Sequence, residues 1–243
     1  MCQRAVELGL TEIGFSEHKD FDPDDPVVDH FVYERYAEDI ARARERFAGR
    51  LVIRMGVEVD YQRWFEDEIA GYLDDYPFDY VIGSVHYVDR VRVMVPEYTA
   101  TRDVRTAYRD YFRAVRDSIV TGQIDILGHL EYPNVRGIAA YGPYDAAAHR
   151  DAIEEVIDAL LRYNVALEIN TAASRKGAGV TFPCAEVVRW YAERGGRLLT
   201  FGSDAHRPED LAAGLDDAIE LARAAGLHEV TAYEARVPTQ HPI

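Results

Sequence analysis

The chain has 243 residues, of which 48 % are apolar, and its 27 lysines and arginines against 43 aspartates and glutamates give a net charge of −16. Such an acidic surface repels nucleic-acid polymers and anionic membranes unless local charge reverses the field, so neither is expected as a partner. The composition is that of one globular domain with a sizeable core, and the apolar runs are shorter than the roughly 20 residues that cross a bilayer. No signal segment opens the chain, which makes the cytoplasm the expected compartment.

Apolar runs of strand length alternate with amphipathic helical stretches along the chain. Strands are predicted at six runs, 11–16, 51–59, 80–85, 124–128, 165–170 and 198–202. Helices are predicted at about 31–47, 104–121, 151–163, about 183–194 and about 208–225. This alternation predicts a single α/β domain whose parallel sheet has helical crossovers, either as an open doubly wound sheet or as a closed barrel.

Polar residues follow each predicted strand. The strand ends read SEH at 16–18, GVEVD at 56–60, GSVH at 83–86, GH at 128–129, EIN at 168–170 and GSDAH at 202–206. The carboxyl ends of the strands in an α/β barrel meet on one face, so six strands can direct six polar groups to a common point. Each of these ends carries a residue type that can ligate a metal ion.

Each of these groups, taken alone, has a structural explanation that is more common than a metal site. A histidine after an apolar run is usually a hydrogen-bonded structural residue, Glu58 could form a cap or a salt bridge, and Asp204 could cap the helix that follows it. Their number favours a metal site, because four of the eight histidines stand at equivalent strand ends, namely His18, His86, His129 and His206. Imidazoles combined with carboxylates suit Zn²⁺, Mn²⁺ or Fe²⁺.

In this order and spacing the six segments resemble the polymerase-and-histidinol-phosphatase (PHP) family of metallophosphoesterases, most closely its histidinol-phosphatase branch. The resemblance extends from about Ala5 to the end of the chain. It implies a distorted (β/α)7 barrel, similar to a TIM barrel, with two to three divalent ions of zinc, manganese or iron. The implied ligands are Glu58 between the first two ions, His86 and His129 on the second, Asp204 on the first, and His18 and His206 on the third.

The chain departs from the family pattern in two places. Family members open with a strand that ends in an HxH motif, followed by a further histidine, and no segment of this chain matches it. We therefore expect one domain over residues 1–243 that lacks its first barrel strand through N-terminal truncation. Of the expected ligands of the first ion, only Glu58 and Asp204 would then be present. The loop after His86 reads YVDRVRVMVP at 87–96 and lacks the Trp-Pro pair common in relatives, so the alcohol portion of the substrate is less defined.

Basic residues that follow two of the strands are candidates for binding a phosphate. The resemblance matches residues 170–176 to one phosphate-binding segment and thereby assigns Arg175, whose forked guanidinium suits phosphoryl oxygens, with Lys176 beside it. Arg136 is the basic residue nearest to the other such segment. For Arg136 and Lys176 a solvated surface charge is at least as good an explanation.

The resemblance implies hydrolysis of a small phosphomonoester, most closely L-histidinol phosphate to L-histidinol and phosphate in histidine biosynthesis, with Glu58, Asp204 and His206 as catalytic residues. Divalent ions would make hydroxide available by lowering the pKa of a bound water toward about 7. Three alternatives stay open: a phosphoesterase for another small phosphate ester or nucleotide, a metal-dependent amidohydrolase, and a catalytically impaired binding protein that retains the pocket.

Overall fold

Helices and strands alternate along the computed structural model, which describes residues 1–25, 28, 30–175 and 179–243. The strands are β1 (Glu12–Lys19), β2 (Val52–Asp60), β3 (Tyr80–Ser84), β4 (Tyr87–Val88), β5 (Val91–Arg92), β6 (Ile126–Leu127), β7 (Ala166–Asn170), β8 (Leu199–Gly202), β9 (Glu229–Glu234) and β10 (Val237–Pro242). The helices are α1 (Cys2–Glu7), α2 (Tyr33–Arg46), α3 (Glu66–Asp75), α4 (Pro96–Thr99), α5 (Val104–Val120), α6 (Pro133–Tyr141), α7 (Arg150–Tyr163), α8 (Ala185–Glu193) and α9 (Leu215–Ala224). Within the described ranges, every helix is too short or too polar to cross a membrane.

Six of the strands form one parallel sheet in the order β1-β2-β3-β6-β7-β8. The order follows the chain, and helices connect most of the successive strands, so the predicted α/β class with a parallel sheet is confirmed. Among the described strands, β1 and β8 each pair with a single neighbour in this sheet, yet residues of both line one cavity, which shows that the sheet curls toward closure. The carboxyl ends of all six strands therefore meet around one mouth.

Large side chains fill the interior of the curled sheet near the amino ends of its strands. The ring of Tyr80 lies so close to β2 that a Cβ atom at Gly56 would fall 2.3 Å from it, and only glycine leaves the ring enough room. Tyr80 packs with Ile126, Ala166 and Tyr233 in a small buried cluster. This packing leaves the interior near the carboxyl ends of the strands to polar side chains.

Several elements differ from the sequence-based predictions. The helix predicted from Pro208 begins only at Leu215, because Ala212 at φ +57° and Gly214 at φ +78° interrupt the chain after a short 3₁₀ turn. The predicted helix at 104–121 is confirmed as α5, with Asp103 as its cap, but Val104 is exposed and does not join the buried face. Helices α1, α3 and α6 and the β9–β10 hairpin were not predicted, because they are short or lack a regular apolar pattern.

The β9–β10 hairpin covers the amino ends of the strands. The guanidinium of Arg236 donates to Asp125 Oδ2 at 2.9 Å, and the same carboxylate accepts the backbone N–H of Val81 at 2.8 Å. Tyr233 donates its hydroxyl to the Asp125 carbonyl at 3.0 Å, and Asp79 accepts the backbone N–H of Ala235 at 3.2 Å. Carboxylates at the beginnings of two strands thus attach the hairpin to the sheet.

Replacing Asp125 by Ala should lower the free energy of unfolding by about 1–3 kcal/mol, because it leaves the Val81 N–H and the Arg236 Nε–H without their acceptor. The other end of the guanidinium keeps its bond to the Gln123 carbonyl. Urea unfolding followed by circular dichroism measures the loss. Glu220→Ala is the control, since its pair with Arg223 is exposed and contributes at most about 0.5 kcal/mol. Equal losses in the two variants would contradict the anchoring role of Asp125.

Candidate metal centre

Four of the six predicted ligands come together at the mouth of the sheet. Parallel register sets His18 of β1 beside Glu58 of β2, and His86 and His129 follow β3 and β6. One donor atom from each of His18, Glu58 and His86 lies within 4.8 Å of the other two. His129 Nε2 is 3.2 Å from Glu58 Oε1, and His18 Nε2 is 3.8 Å from Glu58 Oε2. The Glu58 carboxylate therefore stands at the centre of three imidazoles.

The imidazoles around Glu58 keep its carboxyl group ionised. Burial alone would raise the pKa of the Glu58 carboxyl, but the hydrogen bond with His129 and the nearby imidazoles of His18 and His86 bring it well below its usual range. Burial lowers the pKa of His129, whereas its hydrogen bond to Glu58 more than offsets this and raises that pKa to about 9. Without a bound cation, a protonated His129 supplies the positive charge that a buried carboxylate needs.

Neighbouring polar groups orient Glu58 and His86. Ser84 donates its hydroxyl to Glu58 Oε1 at 2.5 Å. Asp60 Oδ1 accepts the backbone N–H of His86 at 2.8 Å and lies 3.1 Å from His86 Nδ1. A carboxylate behind one ring nitrogen directs the other nitrogen toward a metal, which is the usual arrangement around a histidine ligand.

His129 is held differently from His86. Its φ of +21° is a conformation that residues with a side chain rarely adopt, so the surroundings must impose it. The backbone N–H of His129 donates to Glu168 Oε2 at 2.7 Å. Its ring nitrogen Nδ1 is buried and has no hydrogen-bond partner among the residues that the structure describes. The ring of Tyr132 lies 4.9 Å from the ring centroids of both His86 and His129 and covers the pair.

The other two predicted ligands, Asp204 and His206, lie in the loop after β8 at the rim of the same cavity. His206 Nδ1 is 3.5 Å from Asp204 Oδ1, and the His206 side chain is 73 % exposed. The cluster of donor atoms around Glu58 does not include either residue. Asp204 has a φ of +48°, so the loop that carries it is also in an unfavourable conformation.

The predicted phosphate-binding residues occupy different environments. Arg175 is mostly buried, and its guanidinium donates to the backbone carbonyls of Ser203 and Asp204 and pairs with Asp210 at 3.5 Å. Arg136 is exposed and stacks 4.8 Å from the ring centroid of Tyr132. Lys176 lies outside the described residues. Arg175 thus supports the loop that carries Asp204, and Arg136 lies next to the ring that covers His86 and His129.

Glu168, Asp60 and Tyr132 are residues of the site that were not assigned from the sequence. Glu168 and Asp60 were visible as carboxylates at strand ends, but a sequence does not show that they accept backbone N–H groups of the neighbouring loops. Nothing in the sequence marked Tyr132 as a residue of the site except its position three residues after His129. Such residues shape a metal site through its ligands.

The donor set fits a divalent transition metal ion. Imidazole nitrogens and a carboxylate are the ligands that zinc and its first-row neighbours prefer, and Glu58 offers two oxygens to opposite sides of the cluster. A cavity of about 860 Å³ reaches from Glu58, His129 and Asp204 down the open side of the sheet between β1 and β8. It is large enough for a small organic phosphate.

Residues 1–172 match the model of the PHP domain. The chain belongs to the PHP family. It is 32 % identical to the probable histidinol-phosphatase of Deinococcus radiodurans over 95 % of this chain and 88 % of that protein. It is 30 % identical to the histidinol-phosphatase of Lactococcus lactis over 94 % of this chain and 85 % of that protein. The family resemblance predicted from the sequence is thereby confirmed.

A solved structure also matches the PHP chain over nearly its full length. The crystal structure of histidinol phosphate phosphatase from Lactococcus lactis, complexed with zinc, L-histidinol and phosphate, is 28 % identical. It superposes with a TM-score of 0.85 over 98 % of this chain and 90 % of that chain. The fold with a curled parallel sheet is therefore shared with an enzyme whose structure contains zinc.

Zinc affinity should rise with pH from about 6 to 8, because an ion must displace the proton that Glu58 stabilises on His129 below about pH 9. Competition titrations with a chromophoric chelator, corrected for the chelator's own protonation, measure the slope. His129→Ala should bind zinc more weakly and with a smaller pH slope, whereas His228→Ala, far along the chain in an exposed position directly before β9, serves as the control. An unchanged slope in His129→Ala would refute the competition.

Proposed function

We propose that this chain is a metal-dependent phosphomonoesterase that hydrolyses L-histidinol phosphate to L-histidinol and phosphate. The observation that carries the proposal is the cluster of His18, His86 and His129 around Glu58, in a chain whose fold matches an enzyme solved with zinc, L-histidinol and phosphate. Several histidinol-phosphatases are 25 to 32 % identical to it over most of its length. The acidic chain suits a small phosphorylated substrate better than a nucleic-acid polymer.

The proposed site holds two to three divalent ions of zinc, manganese or iron. Glu58 would be shared by the first two ions, His86 and His129 would complete the second, and Asp204 would belong to the first. His18 and His206 would hold the third. The short distances around Glu58 support its bridging role, and the position of Asp204 and His206 at the rim of the same cavity supports theirs.

The proposed domain spans residues 1–243 and has the distorted (β/α)7 barrel fold, of which the described residues form six parallel strands. Six strands follow one another in chain order, and the cavity of about 860 Å³ separates the two outermost strands, β1 and β8. An additional parallel strand in that space would pair with the free edges of both and would complete the barrel. Its carboxyl end would lie beside Glu58 and Asp204 and could supply further ligands to the first ion.

In the proposed mechanism, the residues of the chain hold the ions, support the loop that carries Asp204 and bind the phosphate. Bound divalent ions supply Lewis acidity and a water of lowered pKa. Glu58, kept ionised by its surrounding imidazoles, holds the cations, and Arg175 keeps the Asp204 loop in place through the carbonyls of Ser203 and Asp204. Arg175, Arg136 and Lys176 attract and orient the phosphate, and guanidinium groups stabilise charge on its oxygens.

The third ion, which His18 and His206 would hold, or a group near His206, would assist departure of the alcohol. The His206 side chain is exposed where it lines the cavity. Glu58, Asp204 and His206 are thus the three proposed catalytic residues.

Removal of metal with a chelator should abolish phosphate release from L-histidinol phosphate, and Zn²⁺ or Mn²⁺ should restore it. Glu58→Ala and Asp204→Ala should each lower kcat/KM by about 1,000-fold, since each removes charge that holds the cations. Phosphate release from L-histidinol phosphate and from p-nitrophenyl phosphate measures both effects, with Glu220→Ala as a folded surface control.

Full activity after chelation would refute the metal-dependent mechanism. Hydrolysis of p-nitrophenyl phosphate without hydrolysis of L-histidinol phosphate would assign the chain to another small phosphate ester. Turnover of amide substrates alone would indicate an amidohydrolase, and tight zinc binding without any turnover would indicate a binding protein.

A further inference from the structure

Glu168 is a buried carboxylate on β7 that points into the interior beside the metal cluster. The residue is only 6 % exposed. Its Oε2 accepts two hydrogen bonds, from the backbone N–H of His129 at 2.7 Å and from Asn170 Nδ2 at 3.1 Å. The mechanism proposed above gives Glu168 no contact with substrate, although the residue lines the same cavity.

Gly202 on β8 provides the space for this carboxylate. A Cβ atom at Gly202 would lie 1.9 Å from Glu168 Oε1 and 2.7 Å from Cδ. The backbone of Gly202 does not adopt a positive φ, so any residue could follow its path. The glycine is therefore required for the volume that Glu168 occupies, and the two residues form a matched pair on neighbouring strands.

Asn170 extends the network from Glu168 to the loops after β7 and β8. Asn170 Oδ1 accepts the backbone N–H of Ala172 at 2.9 Å, and the N–H of Thr171 donates to the Gly202 carbonyl at 2.8 Å. The same segment continues to Arg175, whose guanidinium binds the Ser203 and Asp204 carbonyls. A single carboxylate thus connects the loops at the ends of three neighbouring strands.

The backbone of His129 depends on this carboxylate. Within the described part of the chain, the buried Nδ1 of His129 has no hydrogen-bond partner, so no polar group supports the ring from behind. His86, in contrast, receives both a backbone and a ring contact from Asp60. Two hydrogen bonds hold the His129 backbone at φ +21°: its N–H donates to Glu168 Oε2 at 2.7 Å, and its carbonyl accepts the N–H of Tyr132 at 2.9 Å. The bond to Glu168 is the one that reaches a side chain on a neighbouring strand.

We propose that Glu168 is a positioning residue that places the His129 imidazole against Glu58 through the His129 backbone, with Gly202 as its required partner. The inference rests on the proposed role of His129 as a metal ligand. It assigns to Glu168 no contact with substrate and no proton transfer. Loss of this carboxylate should displace His129 and lower the affinity of the site for the ion that His129 would bind.

Zinc affinity tests the proposal without any use of activity. Glu168→Ala should lower zinc affinity by about 10- to 100-fold, which is the usual effect of removing a group that orients a ligand. Glu168→Gln keeps a carbonyl oxygen that can accept from His129 and Asn170, so it should retain most of the affinity. In a His129→Ala background, Glu168→Ala should change zinc affinity little, since its effect passes through His129.

The pairing with Gly202 has its own test. Gly202→Ala alone should lower zinc affinity and Tm, because the added methyl group displaces the Glu168 carboxylate. In the Glu168→Ala background the same substitution should have little further effect, since the carboxylate that it would meet is gone. Additive losses in the double variant would overturn the assignment of Gly202 as the partner of Glu168.

Asp125→Asn is the matched control, because this buried carboxylate accepts a backbone N–H at the opposite end of the β6 strand. It should lower Tm and leave zinc affinity unchanged. Wild-type zinc affinity in folded Glu168→Ala would overturn the inference and leave the proposed function standing. The opposite result is also possible: Glu168→Ala lowers zinc affinity, but the wild-type chain does not hydrolyse L-histidinol phosphate. That result would overturn the proposed function and leave the inference standing.

Discussion

A buried carboxylate needs compensating positive charge, and this requirement at Glu58 organises the mouth of the sheet. Its oxygens lie 3.2 Å from His129 and 3.8 Å from His18, and Ser84 donates a third contact. In the absence of cations a protonated His129 meets this requirement, and in their presence the ions replace that proton. The same side chains therefore serve both states, and the site can persist in the folded chain before metal arrives.

The alternation of apolar strands with helical stretches was sufficient to predict the parallel sheet, because the central strands β3, β6 and β7 are almost fully buried and read as short apolar runs. The strand ends were sufficient to predict that His18, Glu58, His86 and His129 would meet, since parallel strands end at one edge. These inferences depend on residue type and on position relative to a strand, and both can be read from a sequence. The start of α9 could not be read in this way, because the interruption at Ala212 is a backbone conformation without a residue signature.

The direction in which a charged side chain points was the main feature that the sequence did not contain. Glu168 and Glu58 are both glutamates at strand ends, but one accepts a backbone N–H and the other faces three imidazoles. Arg175 was assigned to phosphate as a residue type, and the carbonyls that it binds belong to a loop 28 residues away. Contacts of this kind depend on tertiary packing, which places loops from distant parts of the chain together.

The curl of the sheet has a mechanical consequence. His18 stands on the outermost strand at one side of the opening, and Asp204 follows the outermost strand at the other, with a cavity of about 860 Å³ between those strands. Ions that take ligands from both sides would link the two outermost strands across the opening. The stiffness of the domain would then depend on the concentration of free metal. Because linkage is reciprocal, anything that widens or narrows the opening would also change how tightly the ions are held.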